Sequence, residues 1–199
     1  MSISGKPLVV GIGGTTRTGS SGERIVRCIL SEVEARGGRT RMFGGAELAA
    51  LPHYAPEMPH RTPEQLEFLE AVRAADGFII GTPAYHGGIS GLVKNALDLL
   101  EDLRDDGRCY FSDRAVGLVV VAAGWQACGV TLQSLRGIVH AMRGWPTPLG
   151  ITVNTIEQRA FGENGEVADP AIRNACIIQA EQVLQFANNM ACRREKVGG

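Results

Sequence analysis

The chain has 199 residues, 44% of them hydrophobic, and a formal net charge of −1 from 20 basic and 21 acidic side chains. This balance argues against a basic surface for nucleic acid, and no apolar run reaches the roughly 18 to 20 residues that a membrane helix needs. Residues 1–7 show no signal-peptide or transit-peptide pattern, so we expect a cytoplasmic protein whose single domain spans residues 1–199, with a frayed tail at 193–199.

The apolar and glycine patterns predict strands and helices that alternate along the chain. In chain order we expect a strand at 8–12, a helix at 23–36, a strand at 39–43, a long proline-rich loop at 44–61, a helix at 62–75, a strand at 76–82, a helix at 92–103, a strand at 116–121, a helix at 130–142, a strand at 147–153 and a helix at 170–193. The strands are continuous apolar runs, which indicates burial on both faces and parallel crossovers. The sequence therefore predicts an α/β, doubly wound three-layer sandwich around a five-stranded parallel sheet.

Glycine is the informative departure in composition, with 26 of 199 residues, about 13% against a usual value of about 7%. Three glycine clusters lie at 11–22, at 81–91 and around Gly124 and Gly129, each directly after a predicted strand. Ligands of doubly wound sheets bind outside the carboxyl ends of the strands. We therefore expect the binding site among these three loops.

The first glycine-rich loop lies between a strand and a helix, where unpaired N–H groups and the positive end of the helix dipole favour an anion. Further donors are the hydroxyl groups of Thr15, Thr18, Ser20 and Ser21. The guanidinium of Arg17 adds a charged fork that matches a phosphate. The competing interpretation is a polar turn with an ordinary helix cap.

Two better-known phosphate loops do not fit this segment. Gly14 and Gly19 have the spacing of a Walker A loop, but Ser20 stands where the lysine for the β and γ phosphates is needed. Thr16 stands where the dinucleotide-binding fingerprint has its third glycine. A phosphate monoester therefore fits the loop better than ATP or a dinucleotide.

The second loop carries Pro83, Tyr85 and His86. A proline-fixed turn with exposed amides and one aromatic ring suits the edge of a flat heterocycle, and we expect Tyr85 beside that ring. His86 is either a loop histidine that caps backbone groups or a redox or acid–base residue. Lys94 and Asn95 in the following helix either make structural contacts or touch the ligand.

Together the two loops resemble the NADPH-dependent FMN reductases. The resemblance is carried by GTTRTGS at 14–20 and TPAYHGGISGLVKNALD at 82–98, against family patterns that read approximately G-S-x-R-x-x-S and P-x-Y-x-x-x-x-x-G-x-x-K-N-x-x-D. Thr15 replaces the serine, and Gly22 stands where asparagine is common, which removes one phosphate contact. The resemblance covers essentially the whole chain in element order and implies a flavodoxin-like fold that binds FMN.

The resemblance also implies the cofactor-binding residues. They are Thr15, Arg17, Ser20 and Ser21 at the FMN phosphate, Pro83, Ala84, Tyr85, His86 and Gly87 beside the isoalloxazine, and Gly124 and Trp125 in a third loop that closes over the pyrimidine side. Trp125 has a second interpretation, as a packing residue at a subunit contact. The segment 51–54 either shapes the acceptor pocket or packs at a dimer contact.

The implied reaction is hydride transfer from NADPH or NADH to FMN, with no catalytic side chain because the flavin supplies the chemistry. We expect backbone N–H groups near the second and third loops to stabilise the reduced ring. The reduced flavin is then either released to a partner monooxygenase or used in place on a small acceptor, such as a quinone, an azo dye or a metal oxyanion. The resemblance further implies a homodimer or homotetramer.

The alternative from a different class is a flavodoxin-like electron carrier without NAD(P)H oxidation of its own. The near-neutral charge counts against it, because such carriers commonly bear a strong charge of one sign. The five cysteines are scattered and never spaced C-x-x-C, so neither a disulfide framework nor a metal site is predicted.

Overall fold

The computed structural model describes residues 5–197; residues 1–4 of the N-terminal segment and residues 198–199 of the tail lie outside this range. Within it the chain forms, in order, β1 (Leu8–Gly13), α1 (Ser21–Ala35), β2 (Arg39–Phe43), α2 (Gly45–Ala49), α3 (Pro63–Ala74), β3 (Gly77–Tyr85), β4 (Gly88–Ile89), α4 (Gly91–Leu99), β5 (Ala115–Ala122), α5 (Trp125–Ala141), β6 (Trp145–Asn154) and α6 (Pro170–Val197).

Five of these strands form one parallel sheet in the order β2-β1-β3-β5-β6. The end of β1 lies beside the middle of β3, since Gly13 pairs with Gly81 and β3 continues to Tyr85. The two backbones approach closely there: a Cβ at position 13 would lie 2.4 Å from the Gly81 oxygen. This order is that of flavodoxin-like sheets, and it confirms the predicted five-stranded parallel sheet.

Helices cover both faces of the sheet, because neighbouring strand residues point to opposite sides. On one face Val10, Ile80 and Leu118 pack with residues of α3, α4 and α5. On the other face Val9 and Ile79 pack with α1 and α6. The result is the predicted three-layer sandwich.

Several element boundaries differ from the sequence prediction. The short helix α2 lies inside the expected long loop, β3 continues through Pro83 to Tyr85, and β4 was not expected. Helix α5 begins at Trp125 rather than at 130, and the expected helix at 92–103 is α4 followed by a 3₁₀ turn at Leu100–Leu103. Helix α6 runs to Val197, so residues 193–197 are helical where we expect a frayed tail.

The prolines of β6 explain why its start is hard to locate from the sequence. Pro146 and Pro148 lie inside this strand, where a missing N–H normally breaks the ladder. Among residues 5–197, strand β6 is at the edge of the sheet and pairs only with β5. An edge strand tolerates proline because only one of its sides needs donors.

Candidate functional site

The loop between β1 and α1 is shaped by its own side chains. Ser20 is the N-cap of α1, and its Oγ accepts from the Glu23 amide at 3.4 Å and from the Thr15 amide at 3.3 Å. The Arg17 amide donates to Thr15 Oγ1 at 3.2 Å. A short loop closed by hydroxyl acceptors is typical of a helix cap. Ser20 and Thr15 therefore build the loop in addition to any contact with a ligand.

The same loop keeps donors for a ligand. Ser21 and Gly22 are the first residues of α1, and within residues 5–197 their amides have no acceptor. In that range Arg17 is exposed and joins no ion pair. Free first-turn amides, a helix dipole and an unpaired guanidinium together form an anion site.

A carboxylate that the sequence reasoning missed lies behind this loop. Glu23 is buried, and both Nε and Nη2 of Arg27 donate to its Oε1, at 2.9 and 2.8 Å. The other carboxylate oxygen would lie 3.4 Å from a Cβ at Gly14. Because the i,i+4 pair balances the charge of Glu23, the carboxylate does not oppose an anion in the loop. The four-residue spacing of Glu23 and Arg27, which places them on one helix face, is the sequence signal from which this ion pair could have been predicted.

The second loop is a β-hairpin. Ala84 pairs with Ile89, and the two turn residues His86 and Gly87 have φ of 53° and 79°. A two-residue turn with both φ angles positive has the type I′ conformation that fits twisted strands. Histidine is among the residues that tolerate this region better than most. His86 is thus exposed at the tip of the turn.

A buried threonine fixes the base of the hairpin. Thr82 Oγ1 accepts from the Ser90 amide at 3.0 Å and donates to the Pro83 carbonyl at 2.9 Å. Ser90 in turn caps α4 by accepting from the Val93 amide. The position of the hairpin relative to the sheet is therefore set by a hydroxyl group that the sequence analysis did not single out.

The third loop leads into a helix start without a side-chain cap. Gly124 is the N-cap of α5, and the first intrahelical bond runs from the Cys128 amide to the Gly124 carbonyl. A glycine cap leaves the amides of the first turn, including that of Gln126, free for a ligand. Trp125 is 46% exposed, and its indole Nε1 donates to Glu157 at 2.7 Å. Trp125 therefore ties α5 to the segment after β6.

These loops enclose two adjoining clefts at the carboxyl edge of the sheet, of about 370 Å³ and about 520 Å³. The smaller cleft is lined by seven predicted residues, Thr15, Arg17, Ser20, Ser21, Pro83, Ala84 and Tyr85, together with Gly14, Gly22, Val121, Ala122, Ala123 and Thr155. The larger is lined by Ala84, Gly87, Ala122, Ala123, Gly124, Gln126, Ala127 and Val130. Both clefts share Ala84, Ala122 and Ala123, so they form one groove, which we call the cofactor groove.

Of the eleven predicted site residues, His86 and Trp125 line neither cleft. The roles of all eleven residues in cofactor binding stay predictions. Sequence reasoning missed Thr155, although it directly follows β6 and the carboxyl ends of parallel strands meet at one edge. Its amide donates to the Ala122 carbonyl at 2.8 Å, which joins the segment after β6 to the groove.

The lysine, asparagine and aspartate of the second motif make structural contacts. Lys94 pairs with Asp98 at 2.6 Å on the surface of α4. Asn95 Oδ1 accepts from the Tyr54 amide at 2.8 Å, and its Nδ2 donates to the Pro52 carbonyl at 3.0 Å. Asn95 thereby anchors segment 51–54 to α4. In the described chain that segment lines neither cleft of the groove.

The groove suits a flavin mononucleotide in its distribution of polarity. The end near Arg17 presents hydroxyls, free amides and a guanidinium, as a phosphate monoester needs. The other end presents small apolar residues and the uncapped start of α5, which match a flat ring with a polar edge.

Within residues 5–197 no group of three or more His, Cys, Asp or Glu side chains is arranged to hold a metal ion. None of the helices described has the length and apolarity needed to cross a bilayer.

The parallel sheet, the anion-binding loop and the adjoining ring-sized cleft define a flavodoxin-like nucleotide-binding protein. The chain matches the NADPH-dependent FMN reductase family over residues 7–158, and it belongs to that family. It is 34% identical over 122 residues to an FMN-dependent NADPH-azoreductase of Staphylococcus aureus (strain USA300), a match that covers 60% of this chain and 61% of that protein.

Solved structures agree on the fold. An oxidoreductase from Corynebacterium diphtheriae has a TM-score of 0.71 and 20% identity, covering 92% of this chain and 97% of that one. FerB, a flavoenzyme NAD(P)H:(acceptor) oxidoreductase from Paracoccus denitrificans, has a TM-score of 0.71 and 16% identity, covering 91% and 98%. The similarity extends over nearly the whole chain in both cases, and it supports the flavodoxin-like architecture.

Proposed function

We propose that this protein is an NAD(P)H-dependent FMN oxidoreductase. The observation that carries the proposal is the continuity of the groove: an anion-binding loop with an unpaired Arg17 opens directly into a cleft bordered by the hairpin and the start of α5. Family membership and the azoreductase relative support the same activity.

In this proposal the phosphate of FMN is held by the loop between β1 and α1. Arg17 supplies charge, and the hydroxyls of Thr15, Ser20 and Ser21 and the amides of the first turn of α1 supply hydrogen bonds. The Glu23–Arg27 pair keeps the back of the loop close to neutral. A phosphate monoester therefore anchors one end of the cofactor.

The ring end relies on backbone rather than on side-chain chemistry. Bound FMN supplies two-electron redox chemistry, accepting hydride from a nicotinamide and passing electrons to an acceptor. Free first-turn amides at Gln126 and its neighbours, at the positive end of a 17-residue helix, favour negative charge on the polar edge of the ring. The hairpin residues Pro83, Ala84, Tyr85 and Gly87 border the other side.

No side-chain acid or base is needed in this arrangement. Among the described residues, neither cleft is lined by Asp, Glu, His, Lys or Cys. Tyr85 is 55% exposed at the rim, where it borders the entrance for nicotinamide and acceptor. Rate enhancement then comes from holding the two reacting rings in contact.

The test is reduction of the flavin-loaded protein by NADPH and, separately, NADH without oxygen. We expect the flavin absorbance at about 450 nm, a general property of oxidised flavins, to bleach with one or both nicotinamides. Bleaching by dithionite with no response to either nicotinamide would instead support an electron carrier. Free FMN without the protein is the control.

The fate of the electrons separates two forms of the proposal. A reductase that keeps FMN bound would act on a quinone, an azo compound or a similar small acceptor, as the name of the azoreductase relative suggests. A reductase that releases reduced FMN would serve a partner monooxygenase. Comparing the affinity for oxidised and reduced FMN distinguishes them, because only release requires binding that weakens on reduction. We also propose that the protein is cytoplasmic and forms a homodimer or homotetramer. Light scattering tests the oligomeric state, because it measures the molar mass of the assembly.

A further inference from the structure

A second cleft lies on the α1–α6 face of the protein, and it shares no lining residue with the cofactor groove. Its volume is about 520 Å³, which is within the range of small-molecule sites. Arg24, Arg27 and Cys28 line it from α1, Arg173 lines it from α6, and the segment 164–167 forms its remaining wall. We call it the arginine–thiol cleft.

The charges of this cleft are only partly paired. Arg27 is engaged by Glu23, and Glu32 is engaged by Arg36 at 2.5 Å. Arg24, Arg173 and Glu166 join no ion pair within residues 5–197, which leaves two guanidinium groups and one carboxylate for a ligand.

Contacts with its neighbours hold the Arg24 guanidinium against one wall of the cleft. The guanidinium carbon lies 5.6 Å from the centre of the Phe161 ring, a cation–π distance. A Cβ at Gly165 would lie only 2.6 Å from Arg24 Nη1, so the guanidinium packs directly against backbone. A positioned charge costs less side-chain entropy on binding than a free one.

The thiol of Cys28 is part of the lining and is partly accessible. It packs against the core cluster that contains the buried Cys176. The pKa of Cys28 is lowered by interaction with the Cys176 thiol and by the charge of Arg173, while burial and the charge of Glu32 act in the opposite direction. Because Cys28 lines the cleft and is partly accessible whereas Cys176 is buried, Cys28 is the thiol that a ligand can reach. Its lowered pKa favours the thiolate, which is the reactive form.

We propose that the arginine–thiol cleft binds a zwitterionic peptide disulfide, such as oxidised glutathione, and that Cys28 is its site of thiol–disulfide exchange. Each half of that ligand carries two carboxylates and one ammonium group, which complement Arg24, Arg173 and Glu166. The Cys28 thiolate attacks one sulfur of the disulfide, a new S–S bond forms, and the other half leaves as a thiolate that takes a proton from water. Cys28 and one half of the ligand end as a mixed disulfide, and the departing half is reduced.

The experiment uses the full chain loaded with FMN and compares two disulfides. Peptide mass spectrometry follows adduct formation at Cys28 and at the exposed Cys192 with oxidised glutathione and with the neutral bis(2-hydroxyethyl) disulfide. We expect glutathione to modify Cys28 before Cys192, although Cys192 is the more exposed. The neutral disulfide should show a smaller preference for Cys28. Cys28→Ser should lose the adduct and retain NADPH-dependent flavin reduction.

Charge variants identify the recognition step. Arg24→Gln should slow the glutathione reaction at Cys28 by up to about fivefold and leave the neutral disulfide nearly unaffected, since exposed ion pairs contribute modestly and Arg24 is not among the charges that shift the pKa of Cys28. Arg104→Gln, a surface arginine elsewhere, is the matched control. The proposal would be overturned if oxidised glutathione modified Cys192 before Cys28, or if the charge variant slowed the reaction equally with both disulfides. The comparison of Cys28 with Cys192 uses the wild-type protein and needs no variant.

Discussion

The contribution of Arg17 to cofactor binding gives the sharpest test of the site. Arg17 is exposed at the mouth of the phosphate end and has no ion-pair partner within residues 5–197. A hydrogen bond to a charged group contributes about 1.5 to 3 kcal/mol, and exposure to water and salt reduces this to about 1 to 2 kcal/mol here. Arg17→Gln should therefore raise the Kd for FMN about fivefold to thirtyfold.

Riboflavin supplies the internal control, because it has the same ring and no phosphate. The wild-type and Arg17→Gln proteins are each titrated with FMN and with riboflavin by calorimetry, which completes a double-mutant-type cycle. Arg17→Gln should leave the riboflavin affinity unchanged. The difference for FMN should narrow as salt is raised. An equal loss of affinity for both flavins would show that the substitution deforms the loop, and no loss for FMN would refute phosphate recognition by Arg17.

Two further predictions concern the framework of the groove, and a third concerns the contact between α4 and segment 51–54. Gly45→Ala should abolish FMN binding, because its Cβ would lie 1.6 Å from the Thr15 carbonyl oxygen, whereas Gly91→Ala, with nothing within 4 Å, should bind FMN normally in the same titration. Ser20→Ala removes the cap of α1 and should cost about 1 kcal/mol, seen as a fall in Tm of about 2 to 4 °C by calorimetry, while Ser20→Thr should retain most of the stability. Asn95→Leu leaves backbone groups of segment 51–54 without partners, so protease cleavage in that segment should accelerate without a change in FMN affinity; unchanged cleavage would contradict the anchoring role.

The fold was largely predictable because its signals are local and repeated. Continuous apolar strands separated by amphipathic helices gave the five parallel strands, and the glycine clusters gave the edge of the sheet where the groove lies. Boundaries were less accurate where tertiary contacts override local preference. Pro83 continues β3 because that part of the strand lies against β5 and the hairpin, and β6 contains two prolines because it is an edge strand.

The candidate site likewise contains residues that could be proposed from the sequence and residues that only the folded chain reveals. Thr15, Arg17 and Ser20 could be proposed as phosphate ligands from the loop alone, since free amides, hydroxyls and a guanidinium at a helix start suit an anion, and that role stays a prediction. Glu23 and Thr82 could not, because their roles depend on partners that only the folded chain brings near. Lys94 and Asn95 show the opposite case, because these motif residues make structural contacts. Lys94 pairs with Asp98 within α4, and Asn95 holds segment 51–54 to α4.

The tight turn at His86 and Gly87 has a consequence for how this protein could acquire new substrates. Its shape is set by backbone dihedral angles and by the Thr82 hydroxyl below it, while the His86 side chain projects from the tip into solvent. Exchanging His86 for Asn or Asp, which also tolerate a positive φ, would change the groups at the rim without disturbing the turn. Libraries restricted to the rim, at His86 and Tyr85, are therefore the economical route to altered acceptor preference.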